Sequence, residues 1–206
     1  MFYEGDFATW TFGRWSHPGQ PIGAFYVYRQ KYDGDGKPLE GQYEDVNGDG
    51  VVNSGDLRPL HSPWPTLEVG HTSRLTFRRW ELDVILRAWL GNYVYDNVAS
   101  QGSWQALTGG ASPSNVPASV LRSGFTAPQY LSDYYVEDAS FLRLDAVTLG
   151  YTFGSGARRL RVFAAVRNAA TITGYRGVDA GAAPSGIETD PYPRSRSFVA
   201  GLNIGP

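Results

Sequence analysis

Apolar residues in this chain recur at every second position, and they do so over stretches of about ten residues. Residues 80–90 carry the pattern most fully. Trp80, Leu82, Val84, Leu86, Ala88 and Leu90 fall on one side, and Glu81, Asp83, Arg87 and Trp89 on the other, with Ile85 the aliphatic exception. Residues 158–168 set Leu160, Val162, Ala164 and Val166 against Arg159, Arg161 and Arg167. The last segment sets Phe198, Ala200, Leu202 and Ile204 against Ser197, Gly201 and Asn203. A period of two is the mark of an extended strand with one apolar face. No segment sustains the 3.6-residue period of an amphipathic helix. Short helical turns are expected only near residues 92–99 and 168–172.

Residues 65–77 and 139–153 alternate in the same way, the second mixed at its start, and 6–15 and 22–32 do so more weakly. The fold class is therefore all-β, with about seven antiparallel strands. The connections between them alternate in length. Residues 16–21, the turn near Arg78 and residues 154–157 are short, whereas 33–64, 92–138 and 169–194 are long. Long structureless loops are uncommon in compact soluble domains. They are ordinary in outer-membrane barrels, where turns on the periplasmic side are short and extracellular loops long. A strand of about ten residues also suffices to cross hydrocarbon at a tilt. A soluble β-sandwich alternates too, but its connections are short at both ends and its bulky side chains point inward. It remains the alternative, as a calcium-binding adhesin or carbohydrate-binding module.

Composition narrows the choice further. No run of eighteen apolar residues exists, so no transmembrane helix is encoded. The absence of Cys removes disulfides and thiolate metal sites. A net charge of −2 gives no electrostatic case for nucleic acid. Neither a basic n-region nor an apolar h-region opens the chain, and Phe7–Phe12 already alternate like a strand. With an odd strand count, this is what a segment cut from a larger barrel would show.

Several blocks, in order, carry a family likeness: Gly19-Gln20-Pro21-Ile22-Gly23-Ala24-Phe25-Tyr26; Tyr43-Glu44-Asp45-Val46-Asn47-Gly48-Asp49-Gly50; Val136-Glu137-Asp138-Ala139-Ser140-Phe141-Leu142-Arg143-Leu144; Leu149-Gly150-Tyr151-Thr152-Phe153; Thr173-Gly174-Tyr175-Arg176-Gly177-Val178-Asp179; and Tyr192-Pro193-Arg194. Together they resemble the C-terminal part of the SusC/RagA-type TonB-linked (TonB-dependent) outer-membrane transporters, over nearly the whole of residues 1–206. The resemblance implies a wide barrel around an N-terminal plug, in the cell outer membrane. It implies import of oligosaccharides or peptides energised through TonB, with a SusD-like surface lipoprotein as partner. It implies no enzyme. Trp80, Leu82, Val84, Leu86, Leu160, Val162, Val166, Phe198, Leu202 and Ile204 would then face lipid. Two departures stand out. Asp179 is followed by Ala180-Gly181 where the family usually has Pro-Glu, and the final residues Ile204-Gly205-Pro206 lack the usual terminal aromatic.

The sharpest local motif is Asp45-x-Asn47-x-Asp49-Gly50-Val51-x-Asn53-x-x-Asp56. Its oxygens fall at positions 1, 3, 5, 9 and 12 of an EF-hand-like loop, Gly50 stands at position 6, and Val51 offers its carbonyl. Asp45, Asn47, Asp49, Val51, Asn53 and Asp56 are thus candidate ligands of a structural Ca²⁺. The same residues also build a loop held by side-chain to backbone hydrogen bonds. Arg87, Arg143, Arg159, Arg161 and Arg167 would line a lumen, either meeting polar solutes or pairing with Glu81 and Asp83. Trp64, Trp104, Tyr130, Tyr134 and Tyr135 are loop aromatics suited to stacking on sugar rings or to loop packing. Catalysis finds little footing. His17, His61 and His71 lie on separate segments, Ser62 has no Gly-x-Ser-x-Gly context, and Gly34-Asp35-Gly36-Lys37 reads as a turn.

Overall fold

The computed structural model describes residues 14–15, 21, 23–104, 115–155, 158–181, 185–189 and 192–205. Its strands are β1 (Arg14–Trp15), β2 (Ala24–Val27), β3 (Gln30–Tyr32), β4 (Pro38–Tyr43), β5 (Arg58–Leu60), β6 (Leu67–Phe77), β7 (Trp80–Leu90), β8 (Tyr93–Asp96), β9 (Val136–Asp138), β10 (Phe141–Ser155), β11 (Arg158–Thr173), β12 (Ile187–Glu188) and β13 (Ser197–Gly205). Among the described residues, two short helices, α1 (Asn97–Gln101) and α2 (Ser119–Ser123), lie between β8 and β9. Among the described residues no helix is long and apolar enough to cross a membrane. The chain forms two compact units, one of Pro65–Gly91, Ser140–Gly174 and Tyr192–Pro206, the other of Met1–Trp64, Asn92–Ala139 and Tyr175–Pro191.

The first unit is one antiparallel sheet in the order β13-β11-β10-β7-β6. It contains the five best-patterned segments, and the register keeps their apolar positions in line. Leu75, Leu82, Leu149, Ala164 and Ala200 form one cross-strand row, and Phe77, Trp80, Tyr151, Val162 and Leu202 the next. Directly opposed residues share a face, so one face is apolar along these rows, and on β6 it also carries His71 and Ser73, which oppose Leu86 and Val84 and hydrogen-bond to each other. At one end of the sheet sits the tight turn Arg78-Arg79, where Arg78 adopts a positive φ of 55° and the Arg79 carbonyl accepts the Thr152 N–H at 2.9 Å. The long connections leave from the opposite end. A bulge between Leu144 and Ala146 inserts Asp145, which accounts for the mixed start of that segment.

Two expectations change. Residues 168–172 are strand rather than a helical turn, because β11 runs on to Thr173 past Asn168, which takes up the irregularity at φ 50°. Residues 22–32 do not make one long strand. They divide into β2 and β3, since Tyr28 leaves the local ladder to bridge Ser132. The strand expected at 6–15 lies outside the described residues, apart from Arg14–Trp15.

The second unit is made from the long connections. They are not structureless. They fold into the small sheets β1-β2-β5 and β12-β8-β9 and the hairpin β3-β4. Phe25, Val27, Tyr95, Ala99, Phe125 and Tyr135 form its core. Polar clamps hold the pieces together. The Ser132 hydroxyl donates to Gln30 Oε1 at 2.8 Å, while Gln30 Nε2 donates to the carbonyls of Leu39 and Gln42. Gln129 Oε1 accepts from the Gly41 N–H and the Tyr43 hydroxyl. Each clamp satisfies a polar group that would otherwise be costly to bury.

Candidate functional site

The polar face of the five-strand sheet is organised by charge. Glu81 on β7 is shared by two arginines: Arg161 Nε approaches Oε2 at 3.0 Å and Arg74 Nε approaches Oε1 at 3.3 Å. Arg74 also meets Asp83, directly opposite it, at 2.5 Å. Room for Arg161 comes from Gly150, above which its guanidinium lies, and the same guanidinium stands 5.3 Å from the Phe163 ring centre. Phe163 in turn lies across Gly201. A second cluster sits nearer the loop end. Arg87 and Arg143 are directly opposed, a repulsive placement relieved in two ways. Asp145 takes Arg87 in a two-pronged pair, both contacts at 3.1 Å. Arg143, only 3% exposed, stacks over Phe141 at 4.7 Å and donates to the Thr171 hydroxyl. Arg167 is exposed and forms no ion pair among the described residues.

Of the five arginines read as lumen candidates, Arg161 therefore pairs with Glu81, as one of the two readings anticipated. Arg74 and Asp145 escaped the sequence reading. Arg74 stood in plain view on the polar side of its alternation. Asp145 was hidden because the bulge breaks the period at that residue.

The opposite face is apolar and open. Leu75 is 62% exposed, Leu202 64% and Phe198 75%. Near the turn end it becomes aromatic: Trp80 meets Tyr151 edge-on at 4.7 Å, and Tyr151 meets Phe153 at 4.6 Å. Every residue expected to face lipid lies on this side by register.

In the second unit, the loop of residues 45–56 is closed by its own side chains. Asp45 accepts the N–H groups of Gly48 and Gly50, each at 2.7 Å. Asn47 accepts from Asp49 N, and Asp49 from Val51 N and from Asn47 Nδ2. Asn53 accepts the Gly55 N–H and donates to the Val51 carbonyl. Asp56 is buried and accepts from the backbone of Val46, Asn47 and Asn53, closing a capping box. The Asn53 N–H above all, then those of Asn47 and Val46, hold its carboxyl below the usual carboxylate range. The fold thus brings all six candidate ligands into one loop, with Gly48 and Gly50 at the positive φ that its tight path requires. Among the described residues, no three His, Asp or Glu side chains group as a metal site.

The same unit buries carboxyls that no sequence signal marked. Glu188 is 1% exposed, accepts from the Tyr175 hydroxyl at 2.5 Å and from the Val178 N–H at 2.8 Å, and sits opposite Asp96. Burial pushes both carboxyls above their ordinary range. The loop aromatics divide. Tyr135 is buried in the core against Tyr95 and Tyr134, so stacking on a ligand is closed to it. Trp64, Trp104 and Tyr130 are exposed.

No family model matches the chain. Individual proteins do. It is 37% identical over 200 residues to the TonB-dependent receptor SusC of Bacteroides thetaiotaomicron, a match covering 90% of this chain and 20% of that receptor. It is 24% identical over 223 residues to TonB-dependent receptor P3 of Formosa agariphila, covering 90% of this chain and 22% of that one. Among solved structures, it superposes on the RagAB peptide importer in the open-open state with a TM-score of 0.67, at 21% identity, covering 96% of this chain and 24% of that one. In the closed-closed state the TM-score is 0.64 at 22% identity, covering 92% of this chain and 24% of that one. The chain therefore spans about a fifth to a quarter of the proteins it matches. Along nearly its whole length the chain is thus similar to a segment of the TonB-dependent receptor SusC, and it shares its fold with the matching segment of RagAB.

Proposed function

We propose that this chain supplies part of the wall of an outer-membrane nutrient importer, the C-terminal part by the order of its motifs. Its five long strands cross the lipid, with the Arg78-Arg79 turn on the periplasmic side and the long connections outside. The division of the sheet into an open apolar face and a charge-paired face carries this reading. In water an apolar face of this extent is an aggregation or docking surface; in a bilayer it is the solvated one. The same face weighs against the alternative of a soluble calcium-binding β-protein. The whole receptor would take up oligosaccharides or peptides with a SusD-like lipoprotein, drawing energy from TonB through a region outside this segment. The reading assigns the segment no catalytic step.

The test is an arginine at Val84 or Val162 in the intact receptor. A charge near the bilayer midplane should cost about 2–4 kcal/mol, read as a lower urea midpoint of the folded band in vesicles. An unchanged midpoint overturns the membrane reading. Import itself is tested by growth of receptor-deleted cells on oligosaccharides and on peptides, with restoration by the intact gene on one of the two classes.

We also propose that the loop of residues 45–56 takes Ca²⁺ outside the membrane. The residues fit in part. Asp45 and Asp49 each accept one N–H per oxygen, which leaves a lone pair on each oxygen for a cation. Asn47, Asn53 and the Val51 carbonyl add neutral oxygens. Asp56 Oδ1 already accepts two N–H groups, so Asp56 serves mainly to close the loop and offers at most Oδ2.

A further inference from the structure

We propose that the turn end of the apolar face holds one glycerophospholipid, with an acyl chain seated over Ala164 and Ala200 and the phosphate met by Arg78. The inference rests on the reading of this sheet as a membrane wall.

Three observations carry it. The apolar face is not level. Ala164 and Ala200 are directly opposed, and Leu149 flanks Ala164 on the other side. The adjoining rows are bulkier, with Trp80, Tyr151, Val162 and Leu202 toward the turn, and Val84, Val147, Val166 and Phe198 away from it. The result is a groove of about 650 Å³ lined by Trp80, Leu149, Tyr151, Val162, Ala164 and Ala200. That volume falls within the roughly 300–1,000 Å³ of small-molecule sites. It runs from β7 across β10 and β11 to the edge strand β13.

A cation stands at the turn-side end of the same face. The Arg78 guanidinium is held 5.3 Å from the centre of the Phe77 ring. Phe77 opposes Trp80, which lines the groove. Arg78 has no ion pair among the described residues. It occupies a backbone conformation at φ 55° that glycine or asparagine would adopt more easily. An arginine kept there, and laid over an aromatic on the lipid side, is placed to meet a phosphate in two-pronged fashion.

The spacing matches one leaflet. Leu82, in the groove row, lies about 10 Å along its strand from the turn residue Arg79, and Ala164 in the same row lies two strands further across, about 10 Å more at roughly 4.8 Å per strand, so the groove stands about 14 Å from the turn on the diagonal. Half the hydrocarbon thickness is about 15 Å. A lipid whose phosphate sits at Arg78 therefore reaches the groove with an acyl chain laid diagonally across β10. A free phosphate would use the arginine and leave the groove without a role.

The experiment uses the intact receptor, purified in mild detergent from membranes containing phosphatidylglycerol and analysed by native mass spectrometry. The wild type should retain one tightly held phosphatidylglycerol, undisturbed by added inorganic phosphate. Filling the groove with Ala164→Leu and Ala200→Leu should abolish retention, and both changes are favourable in lipid, so folding is preserved. Arg78→Gln should lower retention several-fold, while Arg79→Gln should not. Equal retention by the double leucine variant, or equal effects of the two arginine variants, overturns the proposal. Loss of the lipid to free phosphate overturns it as well. Insertion of the receptor into vesicles is followed in parallel. A receptor that inserts but retains no lipid sinks only this inference, and one that does not insert sinks the membrane reading beneath it.

Discussion

Glu188 stands directly opposite Asp96 in the parallel pairing of β12 with β8, and both carboxyls are buried. Burial first, and Asp96 with it, raises the Glu188 pKa, against the Tyr175 hydroxyl and the Val178 N–H that favour its charged form. Asp96 is raised by burial first and by Glu137, with the Ala99 N–H and Arg122 pulling the other way. The folded state therefore holds protons more tightly than the unfolded chain. Stability contributed by these groups is present at low pH and declines as pH rises from the ordinary carboxylate range through the raised values. Asp56, lowered by the Asn53 N–H, works oppositely and only below that range. Limited proteolysis between residues 175 and 189 should thus quicken from pH 5 to pH 7 by more than the protease's own profile. Glu188→Gln should remove most of that slope. A slope unaltered by the substitution would show that the pair does not share this titration.

Glu81 is the single carboxylate between Arg74 and Arg161. Its side chain is 26% exposed and that of Arg161 25%, so solvent screens the pairs in part. Glu81→Gln should lower the unfolding midpoint of the intact receptor by an amount worth about 1 kcal/mol at low salt, and by less at high salt. In a double-mutant cycle, Glu81→Gln should couple to Arg161→Gln and also to Arg74→Gln. Strict additivity of either pair would mean that the contact does not contribute.

The wall was legible because its physics is local and repetitive. Trp80 to Leu90 must show alternate faces to two different surroundings, so the sequence alternates, and the faces assigned to Leu82, Val162 and Leu202 follow from parity alone. The second unit was not legible for the opposite reason. Its contacts are few, polar and distant in sequence. Gln30 meets Ser132 across 102 positions, and Glu188 meets Asp96 through a two-residue strand. No periodicity records such pairings. Residues 45–56 fall between these cases. Their spacing revealed the loop and its ligand-like oxygens, and the same spacing also produces the hydrogen bonds seen within it.

Gly186 joins two constraints. Its φ is 67°, and an added Cβ would collide with the Pro63 side chain and come within 2.9 Å of Phe25 Cζ. Its carbonyl also accepts the Tyr95 N–H at 2.8 Å, so the backbone has little freedom to retreat. Gly186→Ala should destabilise the second unit by about 2–3 kcal/mol, combining left-handed strain with overpacking. Gly36 is the control. It has φ 79° with open space around its Cβ position, so Gly36→Ala should cost only about 1 kcal/mol. Protease protection of the two variants separates the terms, and equal losses would contradict the packing argument.

The calcium proposal reduces to a competition for the oxygens of Asp45 and Asp49. In the closed loop they already hold the N–H groups of Gly48, Gly50 and Val51. A cation adds to these bonds and need not replace them, since each carboxylate oxygen keeps a second lone pair. Millimolar Ca²⁺ should therefore raise the unfolding midpoint of the intact receptor by mass action, and Mg²⁺ should do so less, because the loop cannot offer an octahedral cage. Asp45→Ala with Asp49→Ala should abolish the rise while lowering the baseline, as the turn bonds are lost too. Asp56→Asn keeps the loop's size but weakens its acceptance of the Val46, Asn47 and Asn53 N–H groups. It should therefore lower the baseline and leave most of the Ca²⁺ response in place. A wild-type midpoint indifferent to Ca²⁺ would leave residues 45–56 as a loop closed by hydrogen bonds alone.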